Sequence, residues 1–119
     1  MYMINNKYYY LKKIEDKKKN LDLLLLADPE EEAIDKYIDN CEVFEFYHRD
    51  ILIGQGAVME LSSTVYEIKN FAIYEKFHNC GYGKILINLL CEKYLESFKN
   101  KDIIVGTSEQ GVGFYKKCG

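Results

Sequence analysis

The chain has 119 residues, 48 % of them hydrophobic and 29 % charged, with a net charge of −3. That length suits one domain with one core, and that composition excludes a disordered polar chain. The slightly acidic balance weighs against a general nucleic-acid binder, and the longest strongly apolar run, Leu23 to Ala27, is too short to cross a bilayer.

Tyr8 to Ile14, rich in aromatic residues, predicts a first strand. Asp16 to Leu26 predicts a helix with a lysine-rich start and an apolar end. Asp28-Pro29 predicts the opening of a second helix, because Asp28 suits the N-cap, Pro29 the first helical position, and Glu30 to Glu32 the positive end of the helix dipole. Val43 to Tyr47 and Ile51 to Leu61 predict strands joined by a turn at His48-Arg49-Asp50. Ser62-Ser63 then turns the chain into a further strand, Thr64 to Ile73. Three consecutive strands with tight connections form an antiparallel meander.

The large apolar residues of that last strand change parity, from Tyr66 and Ile68 to Phe71 and Ile73. Side chains alternate faces along a strand, so the change predicts one extra residue, a β-bulge near Asn70, unless both faces are simply covered. After a loop from Tyr74 to Cys80, Gly81-Tyr82-Gly83-Lys84 opens the most regular helix, with Ile85, Leu86, Leu89, Leu90, Leu95 and Phe98 on a helical period. Asp102 to Thr107 predicts a short apolar strand, and Val112 to Cys118 the start of a last helix. The order is β-α-α-β-β-β-α-β-α. It predicts an α/β fold of the α+β type: a mixed, mostly antiparallel central sheet with a parallel crossover between the fourth and fifth strands.

The four cysteines, Cys41, Cys80, Cys91 and Cys118, include no CxxC pair, and neither His48 nor His78 is placed to complete a zinc site. Reduced thiols and no metal are expected. The N-terminus lacks the basic-then-apolar pattern of a secretory signal, so a cytoplasmic location is expected. Charge is uneven along the chain. Residues 1–20 carry six lysines, whereas residues 28–50 carry nine carboxylates against Lys36 and Arg49.

Two glycines in the first turn of a helix that follows a strand suggest a phosphate site. Glycine lets backbone N–H groups approach closely, and the helix start supplies positive potential. A Walker loop would need glycine at position 78 and Ser or Thr at 85, which are His78 and Ile85. A dinucleotide fingerprint would need glycine at 86, which is Leu86, and no long loop after the strand. An acyl-CoA pyrophosphate loop on a strand–loop–helix crossover remains.

The run Glu67 to Ile73, then His78 to Lys84, an amphipathic helix, Ile103 to Thr107 and Gly113 to Gly119 resembles, in this order, the GNAT superfamily of N-acetyltransferases. The resemblance implies a GNAT-like sheet with helices on both faces, and acetyl-CoA as acyl donor. It implies that the backbone of Phe71, Ala72 and Ile73 pairs with the pantetheine arm. The amides of Asn79, Cys80, Gly81, Tyr82, Gly83 and Lys84 would hold the pyrophosphate, with His78 in place of the usual Arg or Gln. Ser108 stands where an Asn contacts the cofactor. Tyr115, in a Phe-Tyr pair, is implied as general acid for the departing thiolate, and Glu67 as general base. The family pattern continues past Gly119 with two more strands. The resemblance therefore implies a single domain over 1–119 that lacks the usual last strands.

The activity implied is transfer of an acetyl group to an amine by direct attack, without an acyl-cysteine. The competing class is a CoA-binding domain without transfer. The acceptor would be a small-molecule or peptide amine, and the acidic run points to a cationic one. No nucleic acid or membrane partner is expected, and monomer and homodimer both stay open.

Overall fold

Strand segments buried on both faces, over Cys41–His48 and Ile51–Ser62, build the centre of the molecule. A computed structural model describes residues 8–62, 65–95, 102–105 and 114–117, with the backbone alone from 95 onward. Six strands lie side by side in chain order: β1 (Tyr9–Ile14), β2 (Cys41–His48), β3 (Ile51–Ser62), β4 (Val65–Ile73), β5 (Asp102–Val105) and β6 (Phe114–Lys117). Every neighbouring pair is antiparallel except β4 and β5, which are parallel. The crossover between them contains α3 (Tyr82–Leu95). The other helices are short: α1 (Leu21–Ala27) and α2 (Glu31–Asp35), followed by a 3-10 turn at Ile38–Asn40.

Both faces of the sheet are covered. On one, Leu86, Leu89 and Leu90 of α3 pack on Phe44, Phe46, Ile53 and Ile68. On the other, Leu24 of α1 and Ile34 of α2 pack on Ile14, Val43 and Ala57. All of these side chains are buried. Burying a leucine or phenylalanine is worth about 1.5–3 kcal/mol, so these two clusters hold the layers together.

The meander is as expected. Its β2–β3 turn has two left-handed residues, Arg49 (φ 52°) and Asp50 (φ 68°), the backbone that a tight hairpin needs. The bulge is also found. Ala57 pairs with Asn70 but Val58 pairs with Ile68, which leaves Lys69 as the extra residue of β4.

Three helical expectations are corrected. The helix expected over Asp16 to Leu26 covers only Leu21–Ala27. Lys17, Lys18 and Lys19 would oppose the positive end of a helix dipole, and they form a turn instead. Asp28 does not cap the second helix. It follows α1, is buried, and accepts a bond from the Tyr37 hydroxyl at 3.2 Å. The last helix is a strand: Phe114–Lys117 pairs antiparallel with β5, with Tyr115 opposite Ile104. A short helix is marginal by itself, whereas aromatic residues beside an open strand gain a full ladder of backbone bonds.

The uneven charge resolves into pairs across space. Lys13 bonds Glu42 at 2.9 Å, Lys18 bonds Glu31 and, at 2.7 Å, Asp35, and Lys19 lies 3.4 Å from Glu45. The lysines of the first segment therefore neutralise part of the acidic run.

Candidate active site

The bulge at Lys69 divides β4 in two. Before it, Val65 to Ile68 pair with Asp102 to Val105 of β5. Beyond it, Lys69 to Ile73 have no strand on that side among the described residues. An unpaired strand edge presents a row of N–H and C=O groups that an extended ligand can bond. At the end of this edge lies a cavity of about 560 Å³, lined by Phe71, Ala72 and Ile73 of β4 and by His78, Asn79, Gly81, Tyr82 and Gly83 of the loop and first turn of α3.

The loop is shaped by backbone as much as by side chains. Asn79 (φ 64°) and Gly81 (φ 82°) are left-handed, a conformation that costs most residues energy and glycine little. The amide of Ile85 bonds the carbonyl of Gly81 at 3.3 Å, and α3 begins at Tyr82. The amides of Tyr82, Gly83 and Lys84 are thus first-turn donors without a helical partner. A Cβ at Gly83 would stand 3.3 Å from Cζ of Phe71, so glycine lets the helix start approach the strand. His78 closes the loop on the strand: its Nε2 lies 2.7 Å from the carbonyl of Ile73. A carbonyl only accepts, so Nε2 carries the proton and donates.

Eight of the expected cofactor residues thus line one cavity. Cys80 and Lys84 belong to the same loop but do not line it. The Cys80 thiol is exposed and sits 3.6 Å from the His78 carbonyl. Ser108 lies outside the described residues, as does the side chain of Tyr115. Glu67 does not line this cavity either. It stands before the bulge, 3.3 Å from Lys69, whose ammonium lies 5.5 Å from the centre of the Tyr37 ring. Among the described residues no cluster of His, Cys, Asp or Glu could hold a metal ion.

Sequence reasoning missed the opposite wall. Leu26 and Ala27, at the end of α1, line the cavity, as do Glu75 and Phe77. The readable signal was the run of four leucines: Leu23 and Leu24 are fully buried, but Leu26 is 45 % exposed. Four leucines exceed what one face of a short helix can bury.

Buried amides hold that wall in place. The Asn20 side chain does not cap α1; its Nδ2 donates to Glu45 Oε2 and Gln55 Oε1, each at 2.8 Å. At the other end Asn70, beside the bulge, donates to the Leu24 carbonyl and the Tyr37 hydroxyl, each at 3.0 Å. Burial pushes the Glu45 carboxyl up, but the bonds from Asn20, Tyr47 and Lys19 outweigh it and hold the group below its ordinary value. Burial, with the Asp28 carboxylate nearby, pushes Tyr37 up to about 12.

Comparison with known proteins gives one answer. The profile of the family described as "Acetyltransferase (GNAT) family" matches residues 7–119. Over 101 residues the chain is 32 % identical to "Uncharacterized N-acetyltransferase YvbK" of Bacillus subtilis (strain 168), covering 82 % of this chain and 64 % of that protein. It therefore spans a little under two thirds of that relative's length. A GNAT family acetyltransferase from Elizabethkingia anophelis, solved with acetyl-CoA bound, superposes with a TM-score of 0.74 at 30 % identity, over 85 % of this chain and 66 % of that one. A Bacillus subtilis acetyltransferase in complex with CoA gives 0.73 at 27 % identity, over 88 % and 69 %. With a divided β4, a glycine-marked helix start and a parallel crossover joining them, the chain belongs to the GNAT family of acetyltransferases.

Proposed function

We propose that this chain is an N-acetyltransferase that uses acetyl-CoA to acetylate an amine by direct attack. The observation that carries this reading is the unpaired edge of β4 beyond Lys69, running into the cavity at the first turn of α3. The strand edge suits an amide-bearing arm such as pantetheine, and the first-turn donors suit a pyrophosphate. Bound acetyl-CoA would supply an activated acetyl thioester.

This chain's residues then have separate tasks. The backbone of Phe71, Ala72 and Ile73 binds and orients the arm, and its N–H groups polarise the acetyl carbonyl. The amides of Asn79 to Lys84 hold the phosphates, and His78 ties their loop to β4. Ser108 is a further cofactor contact. Phe71, Phe77, Leu26 and Ala27 give the cavity its apolar lining. A free amine near pKa 10 is mostly protonated at neutral pH, so a base must take its proton; Glu67 is proposed for that step, directly or through water. Tyr115 is proposed to give a proton to the departing thiolate, because a phenol near 10 still holds its proton at neutral pH. Burial pushes the Cys41 thiol up to about 11, which favours its protonated form.

We further propose a cationic amine as acceptor, in a cytoplasmic enzyme. Support comes from the acidic run, reduced by its pairs with Lys13, Lys18 and Lys19. The test is thiol release from acetyl-CoA with a panel of polyamines, aminoglycosides, amino acids and lysine peptides, beside calorimetric titration with CoA. Tight CoA binding with amine-dependent release is the expected result. Binding without release from any amine overturns the transferase, and a best acceptor that is acidic overturns the cationic preference.

A further inference from the structure

The cavity residue between the two glycines reaches away from the loop. Tyr82 lies on the α3 face of the sheet, and its hydroxyl stands 2.8 Å from Nδ1 of His48, at the end of β2. His48 is itself stacked on Tyr9 of β1, with ring centroids 4.4 Å apart and planes at 28°. Phe46, Phe77 and Tyr9 present edges to the Tyr82 ring at 6.1, 5.8 and 6.3 Å. The first turn of α3 is therefore fastened to β2, two strands away from the β4 edge it serves.

Fastening answers a weakness of the loop. Gly81 and Gly83 flank Tyr82, and glycine resists a single conformation more than any other residue. A helix start that must aim three N–H groups at one anion loses affinity if those groups are ordered only on binding. Burial raises the Tyr82 hydroxyl above its ordinary value, so it keeps its proton and can donate to Nδ1. The Nδ1 of His48 then accepts, and the donor has one direction to take. Neither side chain need touch the phosphates for this to matter.

We propose that His48 is a positioning residue for the phosphate-binding turn: through Tyr82 it pre-orients the first amides of α3 and so sets the affinity for CoA. The proposal rests on the reading of this cavity as a CoA site.

The test uses the full chain and three single variants. His48→Phe keeps a ring on Tyr9 and removes the acceptor. His48→Asn keeps a polar atom where Nδ1 stands. Tyr82→Phe removes the other end of the same bond. Calorimetry with CoA should show binding weakened about threefold to tenfold in His48→Phe and in Tyr82→Phe, the range a neutral hydrogen bond commands. His48→Asn should recover most of the loss. The double variant His48→Phe/Tyr82→Phe should be no weaker than either single one. In turnover assays of His48→Phe, KM for acetyl-CoA should rise with kcat at saturation unchanged within about twofold, which loss of folded protein cannot imitate. If the parent binds no CoA, the cavity reading fails, and this inference with it. If the parent binds and a folded His48→Phe protein binds as tightly, the cavity reading stands and the tether is refuted. Losses in the two singles that add in the double refute it as well.

Discussion

Substituting Gly81 by valine isolates what the left-handed backbone of the loop contributes. A Cβ there would meet nothing within 4 Å, so valine causes no clash. The cost is conformational: at φ 82° an L-residue is disfavoured by roughly 1–2 kcal/mol, and a β-branched one by more. The loop escapes that strain by changing φ, and the amides of Tyr82, Gly83 and Lys84 turn with it. CoA binding measured by calorimetry should fall more than tenfold, a loss above about 1.4 kcal/mol. The fold should survive with a melting temperature lowered by about 4–8 °C, because the strain lies in an exposed loop outside both clusters. Gly81→Asn is the control, since asparagine tolerates the left-handed region, and it should bind within about threefold of the parent. A folded Gly81→Val protein with unchanged affinity would refute the reasoning. So would an asparagine variant as impaired as the valine one.

Tyr115→Phe removes a hydroxyl and keeps the ring; as a lost general acid it should lower kcat about 10²–10⁴-fold with CoA affinity unchanged, and a folded variant within threefold of the parent ends that assignment. The Glu45 carboxyl is held below its ordinary value of 4.5, so its contribution to stability is present above that pH and is lost as pH falls through the lower folded value. Melting temperature followed from pH 7 down to about 3 should therefore decline less steeply in Glu45→Gln than in the parent; parallel curves would contradict this. Arg49→Gly relieves a left-handed non-glycine residue while leaving its amide free to bond the Tyr8 carbonyl, as it does at 2.9 Å. It should raise stability by about 0.5–1 kcal/mol in urea titration, and a loss would show that the turn carries no strain.

The features legible in the sequence were those set by local pattern. The parity change between Ile68 and Phe71 announced the bulge at Lys69, because side-chain alternation is strict along a strand. The pair Gly81 and Gly83 marked the helix start, Gly81 because few residues tolerate its left-handed backbone and Gly83 because a Cβ there would crowd Phe71. What stayed illegible depended on distant partners. The lysine run before Leu21 reads as helix until the carboxylates of Glu31, Asp35 and Glu45 compete for it. Asp28 reads as a cap until Tyr37 claims it. Phe114–Lys117 reads as helix until β5 offers an edge. Leu26 and Ala27 entered the cavity only because Asn20 and Asn70 dock α1 across the sheet, and no spacing in the sequence reports such a contact.

The docking of α1 also fixes the order in which this molecule assembles. Seven residues are too few to nucleate a helix in water, and the asparagine that should cap this one has its side chain engaged on the sheet. The helix has no existence of its own: Glu45 and Gln55 must already be neighbours in the β2–β3 hairpin before Asn20 has anything to bond. One wall of the cavity should therefore be a late arrival in folding and an early departure in local unfolding. Its amides, from Leu23 to Asp28, should exchange with solvent deuterium by sub-global opening, faster than those of Val43 or Ile68. A ligand lying against Leu26 and Ala27 would slow that exchange, so filling the pocket would also steady this wall.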